Sequence, residues 1–258
     1  MKRNSRGFTL AELAITTVVV GLLLGSLLLT MSTQLDQRKR NDTQQTLDQA
    51  RDALIGYVIA NGRLPCPARV VIVNNLDTLT GVEQLASGTS ATGGPCSAPY
   101  YGYYPAVTVG LTNTDSSGYL LDAWGNRIRY AVTQANTSAF TTASQIKAGL
   151  SSQTLTPDLQ VCSSSTNMTG TGATAACGSG YSLSTGAAAV ILSLGANGAT
   201  GGTSNDEIRN AKTATSYNDR AFIYHTPVPA GSSDEFDDIV TWLSPNVLYN
   251  RMVAAGAI

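Results

Sequence analysis

The feature that most constrains this chain is an uninterrupted apolar stretch near its start, with no charged residue and no proline between residues 13 and 35. A helix rises about 1.5 Å per residue, so this length matches a bilayer core of about 30 Å. In front of it stand a short basic segment, Met1-Lys2-Arg3-Asn4-Ser5-Arg6-Gly7, and then Phe8-Thr9-Leu10-Ala11-Glu12-Leu13. Glu12 is the sole acidic residue of the apolar region. An ordinary secretory signal has a shorter apolar core followed by a small-residue cleavage site. Here Gly25-Ser26 leads into more leucines rather than a polar mature start. A plain signal anchor accounts for the length but not for Glu12, because a carboxylate at mid-depth costs about 2.5–3.5 kcal/mol.

The run Gly7-Phe8-Thr9-Leu10-Ala11-Glu12-Leu13, basic residues before it and apolar helix after, resembles the class III signal of type IV pilins and type II secretion pseudopilins. The resemblance implies that prepilin peptidase cuts the bond between Gly7 and Phe8 and methylates the new N-terminus. Glu12 then becomes the fifth mature residue, whose family role is to pair with the terminal amine of a neighbouring subunit. A pair formed only in the filament sets axial register, the best-attested use of a buried charge. Also implied is a single-pass protein of the bacterial inner membrane, its head in the periplasm or on an extracellular filament. The partners would be prepilin peptidase, other pilin or pseudopilin subunits, the inner-membrane assembly platform and membrane lipid. Charge alone does not orient the anchor, since Lys2, Arg3 and Arg6 face Arg38, Lys39 and Arg40 on its other side. Gly21 and Gly25 have the spacing that lets membrane helices approach closely.

No proline occurs between Phe8 and Pro65, and Leu47, Ala50, Leu54, Tyr57 and Val58 recur at the spacing of one helix face. One helix is therefore expected over residues 8–61, about 80 Å long, apolar all round at first and amphipathic later. It should stop near Asn61-Gly62, ahead of Pro65-Cys66-Pro67. The expected organisation is a leader at 1–7, a transmembrane helix at 8–33, an amphipathic helix at 34–62 and a globular head at 63–258. The fold class is α+β, a long N-terminal helix packed on a small, mainly antiparallel sheet, as in the pilin family.

Within the head, residues 69–73 are β-prone and 74–120 read as irregular. Tyr100, Tyr101, Tyr103 and Tyr104 read as an anchor of that loop onto the head, with an adhesive platform as the alternative. Residues 127–133, 188–194 and 221–225 read as strands. Residues 163–187, rich in Ser, Thr, Gly and Ala, read as a surface loop. Ser244-Pro245 supplies an N-cap and an N1 proline for a last helix through about residue 255.

Cys66, Cys96, Cys162 and Cys177 follow the anchor, without a Cys-x-x-Cys pair and with His225 as the single histidine. That spacing disfavours zinc. An even count in an exported domain favours two disulfides. Of the three connectivities, Cys66–Cys96 with Cys162–Cys177 closes the shortest loops and is the expected one.

Three head segments add a second resemblance, to the type II secretion major pseudopilin: Asp122-Ala123-Trp124-Gly125-Asn126, Ser193-Leu194-Gly195-Ala196-Asn197-Gly198 and Asp238-Ile239-Val240-Thr241-Trp242. That family binds calcium in the loop after its Ser-Leu-Gly strand. Here the matching stretch offers oxygen ligands from Asn197, Ser204, Asn205, Asp206 and Glu207, so calcium is a candidate cofactor with Asn197 and Asp206 as its ligands. Asn197 stands where the family has an aspartate.

Composition excludes other classes. Net charge is -1; 16 basic residues less Lys2, Arg3 and Arg6 leave 13 against 17 acidic ones, about -4 after processing. Nucleic-acid binding needs clustered Lys and Arg, so no such partner is expected. One histidine, no Gly-x-Ser-x-Gly elbow and no phosphate loop argue against an enzyme. Asp234, Glu235, Asp237 and Asp238 read as an exposed acidic turn before the final strand. The expected function is structural, a subunit of a type IV pilus or type II secretion pseudopilus. The alternative is a monomeric periplasmic binding protein on an uncleaved anchor.

Overall fold

The structure is a computed structural model that describes residues 9–68, 81–152, 155–212 and 219–257, without the side chains of 24–33, 150 and 151. The β-prone run at 69–73 lies outside the described residues. The chain divides into two compact units, Met1–Asn41 and Asp42–Ile258. Helix α1, Leu10–Asn61, runs through both. Among the described residues no helix is long and apolar enough to cross a membrane. The expected span at 8–33 falls in part on Phe8 and on the undescribed side chains of 24–33.

In the first unit the described side chains from residue 9 to residue 23 are exposed, Leu10 by 88 % and Leu22 by 71 %. In the second, Leu47, Ala50, Leu54 and Val58 are fully buried, the one-face spacing read from the sequence. The helix stops where Gly62 takes a left-handed φ of 68° and its N–H donates to the Val58 carbonyl at 2.7 Å.

The head is α+β. A four-stranded antiparallel sheet has the order β1 (Gly102–Tyr103), β2 (Arg129–Val132), β5 (Ala189–Ser193), β7 (Ile239–Leu243). Its central strand β5 is buried along its whole length. Alternation explains why. Ala189 and Ile191 join the cluster around Leu47, Leu54 and Val58 of α1, while Val190 and Leu192 join Leu159, Val161 and Phe222 on the other face. Those last three belong to a second sheet of order β4 (Ser182–Ala187), β3 (Leu159–Cys162), β6 (Ala221–Ile223), with β4 antiparallel and β6 parallel to β3. The head thus stacks helix, sheet and sheet.

Short helices fill the connections: α2 (Ala135–Ser138), α3 (Gln145–Ser152), α4 (Asn205–Ala211) and α5 (Pro245–Ala254). The Ser244 hydroxyl caps α5 by accepting from the Val247 N–H. One expectation needs correction. The surface loop assigned to 163–187 ends in a strand, because β4 has a mostly exposed, polar sequence that pairs along β3. Pairing, not apolar content, makes it a strand.

Tyr100 and Tyr104 anchor their loop. The Tyr104 hydroxyl donates to the Ala50 carbonyl of α1 at 2.7 Å, and Tyr100 donates to Asp158 at 2.9 Å. Both expected disulfides are present, Cys66–Cys96 and Cys162–Cys177. Beside the first, the Arg63 guanidinium holds Glu83 in two bonds of 2.6 and 2.8 Å, with both side chains essentially buried (0 % and 1 % exposed). Glu83 also accepts from the Cys66 N–H at 3.1 Å.

Candidate functional site

Two places carry the residues singled out above. At the start of α1, Gly7 and Phe8 lie outside the described residues. Glu12 closes a capping box with Thr9. The Glu12 carboxylate accepts from the Thr9 backbone N–H at 3.0 Å and its hydroxyl at 2.9 Å, and the Glu12 N–H donates back to the Thr9 hydroxyl oxygen at 3.3 Å. A Thr-x-x-Glu start satisfies helix N–H groups that have no partner one turn upstream. The spacing Thr9-Leu10-Ala11-Glu12 is the sequence signal for this box. The carboxylate is thereby held at the helix start, on the N–H and hydroxyl of Thr9.

In the head, the three segments of the second resemblance converge. Asp122 shapes its own turn, its Oδ1 accepting from the N–H groups of Trp124 (2.9 Å) and Asn126 (2.8 Å). Its Oδ2 accepts from the Ser193 hydroxyl at 2.6 Å, and Asn126 donates to the Gly195 carbonyl at 2.7 Å. Asp237 joins from just before β7, its Oδ2 accepting from the N–H groups of Ala196 (2.9 Å) and Asn197 (3.3 Å). Stretches scattered across half the chain are stitched into one polar junction at the end of β5.

This junction changes the reading of the acidic residues. Asp237 and Asp238, expected on an exposed turn, are buried (7 % and 4 % exposed), while Asp234 is exposed. They turn inward because Asp237 caps the loop after β5 and Asp238 accepts from the buried Asn210 amide at 2.8 Å. Burial pushes the Asp238 carboxyl well above the ordinary aspartate range, and the Glu207 and Asp237 carboxylates push it further. Glu207, from the first turn of α4, completes the group: one oxygen from each of Glu207, Asp237 and Asp238 lies within 4.8 Å of the others.

The two expected calcium ligands are not brought together. Asp206 faces away, accepting from the Ser165 N–H at 2.7 Å and pairing with His225 Nε2 at 3.2 Å. Asn197 does reach the carboxylate group, but through its nitrogen. Its Nδ2 lies 3.1 and 3.2 Å from the two oxygens of Glu207 and 3.1 Å from Glu235 Oε1. Each Glu207 oxygen also accepts a backbone N–H, from Asp237 at 3.0 Å and from Thr203 at 3.1 Å. A calcium ion needs six to eight oxygens at about 2.3–2.6 Å. Both Glu207 oxygens are already committed to N–H donors, with a donor nitrogen between them, and so do not supply that set.

Comparison with known proteins bears on the first place only. No curated protein and no solved structure matches the chain. Residues 2–28 match the family model of the prokaryotic N-terminal methylation motif. The matched segment contains Gly7, Phe8, the capping box and the first part of the apolar run, to residue 28. The chain therefore carries a class III signal, the N-terminus characteristic of type IV pilins and pseudopilins.

Proposed function

We propose that this protein is a structural pilin-like subunit, cut by prepilin peptidase between Gly7 and Phe8, methylated on Phe8 and assembled with like subunits into a type IV pilus or a type II secretion pseudopilus. The observation that carries the reading is the methylation motif over residues 2–28. The exposed apolar side chains of residues 10–23 support it, because such a surface needs lipid or another subunit to cover it. So do the α+β head and its two disulfides, which suit an oxidising compartment outside the inner membrane. In this reading the segment 8–33 is the membrane anchor, the head is a pilin-like one, and the protein performs no catalysis.

Processing and Glu12 test the proposal together. Mass spectrometry of the membrane-extracted chain should find a mature start at N-methylated Phe8, and Gly7→Val should leave Met1 in place. Glu12→Ala should still be cut and inserted yet fail to enter filaments when sheared material is immunoblotted with the cognate machinery present. A wild-type chain that keeps its leader, or filaments that accept Glu12→Ala and Glu12→Gln as readily as wild type, would overturn it.

A further inference from the structure

A loop that folds back over buried carboxylates needs something positive or hydrogen-donating at its centre. In the loop between β5 and α4 that centre is an amide. We propose that the Asn197 carboxamide closes this loop in the place a divalent cation would otherwise take, so that the head holds it without calcium.

Three observations carry the proposal, and none depends on whether the subunit enters a filament. First, Asn197 Nδ2 is surrounded by three carboxylate oxygens from Glu207 and Glu235, all within 3.2 Å. Ionised carboxylates only accept, so the atom facing them is the donor nitrogen. Second, the backbone wraps directly onto the same acids. Gly195 has a φ of 62°, and a Cβ built there would lie 1.9 Å from Asp237 Oδ1; at Gly202, φ 77°, it would lie 2.3 Å from Glu207 Oε2. Glycine is required at both, so main chain packs directly against the carboxylates of Asp237 and Glu207. Third, Asp206, the other acid in the first turn of α4, is engaged with His225 and Ser165.

The amide can make this contact only because residue 197 is neutral. An aspartate there would place a further negative charge against Glu207 and Glu235 and would need a cation to hold it. Asn197→Asp should therefore convert a metal-indifferent loop into a calcium-dependent one.

The experiment is thermal unfolding of the full chain in detergent, in excess EGTA and in millimolar calcium chloride. The wild-type midpoint should agree within about 1 °C between the two buffers. Asn197→Asp should melt at least about 3 °C lower in EGTA and recover with calcium, as expected of a ligand bound only by the folded state. Asn197→Ala should melt lower in both buffers. Calcium stabilisation of the wild type overturns the proposal, as does an Asn197→Asp chain indifferent to calcium or an Asn197→Ala chain as stable as wild type. Should Asn197→Asp fail to fold in either buffer, calorimetric titration of the wild type with calcium chloride decides. Saturable binding tighter than about 1 mM, the weak end for extracellular calcium modules, overturns it, and its absence supports it.

Discussion

The two ends of α1 differ in what surrounds them, although one continuous helix contains both. Leu10, Leu13, Ile15 and Leu22 project into open space, whereas Leu47, Leu54 and Val58 are fully buried among Tyr130, Ile191 and Leu248. The difference lies in the partners. The C-terminal part is held by a complete tertiary environment, hydrogen bonds from Tyr104 to Ala50 and from the Ala123 N–H to the Thr43 hydroxyl included. Among the described residues, the N-terminal part is held by hydrogen bonds local to the helix, the Thr9–Glu12 capping box and the Thr16 and Thr17 hydroxyls on the Glu12 and Leu13 carbonyls included. A helix that is apolar all round and uncovered is built for another solvent or another subunit.

The sharpest way to test the locked half is to break the ion pair just beyond its end. Arg63→Met leaves Glu83 buried without its cation and should cost about 3–5 kcal/mol in denaturant unfolding followed by Trp124 and Trp242 fluorescence. A loss under about 1 kcal/mol would mean that the pair does not lock this end. Next comes one substitution at two places. Leu54→Ala should destabilise the head by about 2–5 kcal/mol, while Leu22→Ala should stay within about 0.5 kcal/mol in the same assay. Equal effects would erase the contrast between the two ends.

Replacing Cys66 and Cys96 together by Ser should cost about 2–4 kcal/mol, and alkylation of the exported wild type without reductant should label no thiol. Labelling of all four cysteines would refute the second part. The smallest effect belongs to the uncovered end. Thr9→Ala removes one side of the capping box, worth about 1 kcal/mol, and should speed amide exchange over residues 10–13 several-fold in micelles while leaving the head's unfolding curve unchanged.

Much of this was legible because the relevant patterns are local. The strand readings at 127–133, 188–194 and 221–225 contain β2, β5 and β6, and Ser244-Pro245 marks the start of α5. Strand β3, only four residues long, is too short for its Leu159-Gln160-Val161 alternation to stand out, and β4 has polar side chains that gain order only by pairing. Helix α4 was hidden because its first turn reads as a ligand-rich loop, though the Ser204 hydroxyl caps it by accepting from the Glu207 N–H. Burial of Asp237 and Asp238 could not be read at all. Their hydrogen-bond donors at Ala196, Asn197 and Asn210 lie roughly 30 to 40 positions earlier in the chain, and nothing in an Asp-Asp pair names them.

The order of layers has a consequence for how the chain is made. The stripe of α1 formed by Leu47, Ala50, Leu54 and Val58 emerges early, but the central strand that covers it begins at Ala189, and β7, which flanks that strand, ends only at Leu243. At about 5–20 residues per second, the roughly 130 residues between Val58 and Ala189 take on the order of ten seconds to synthesise. For that interval a greasy ridge waits without its lid, beside a still longer greasy segment. The nascent protein is at its most adhesive before the head exists.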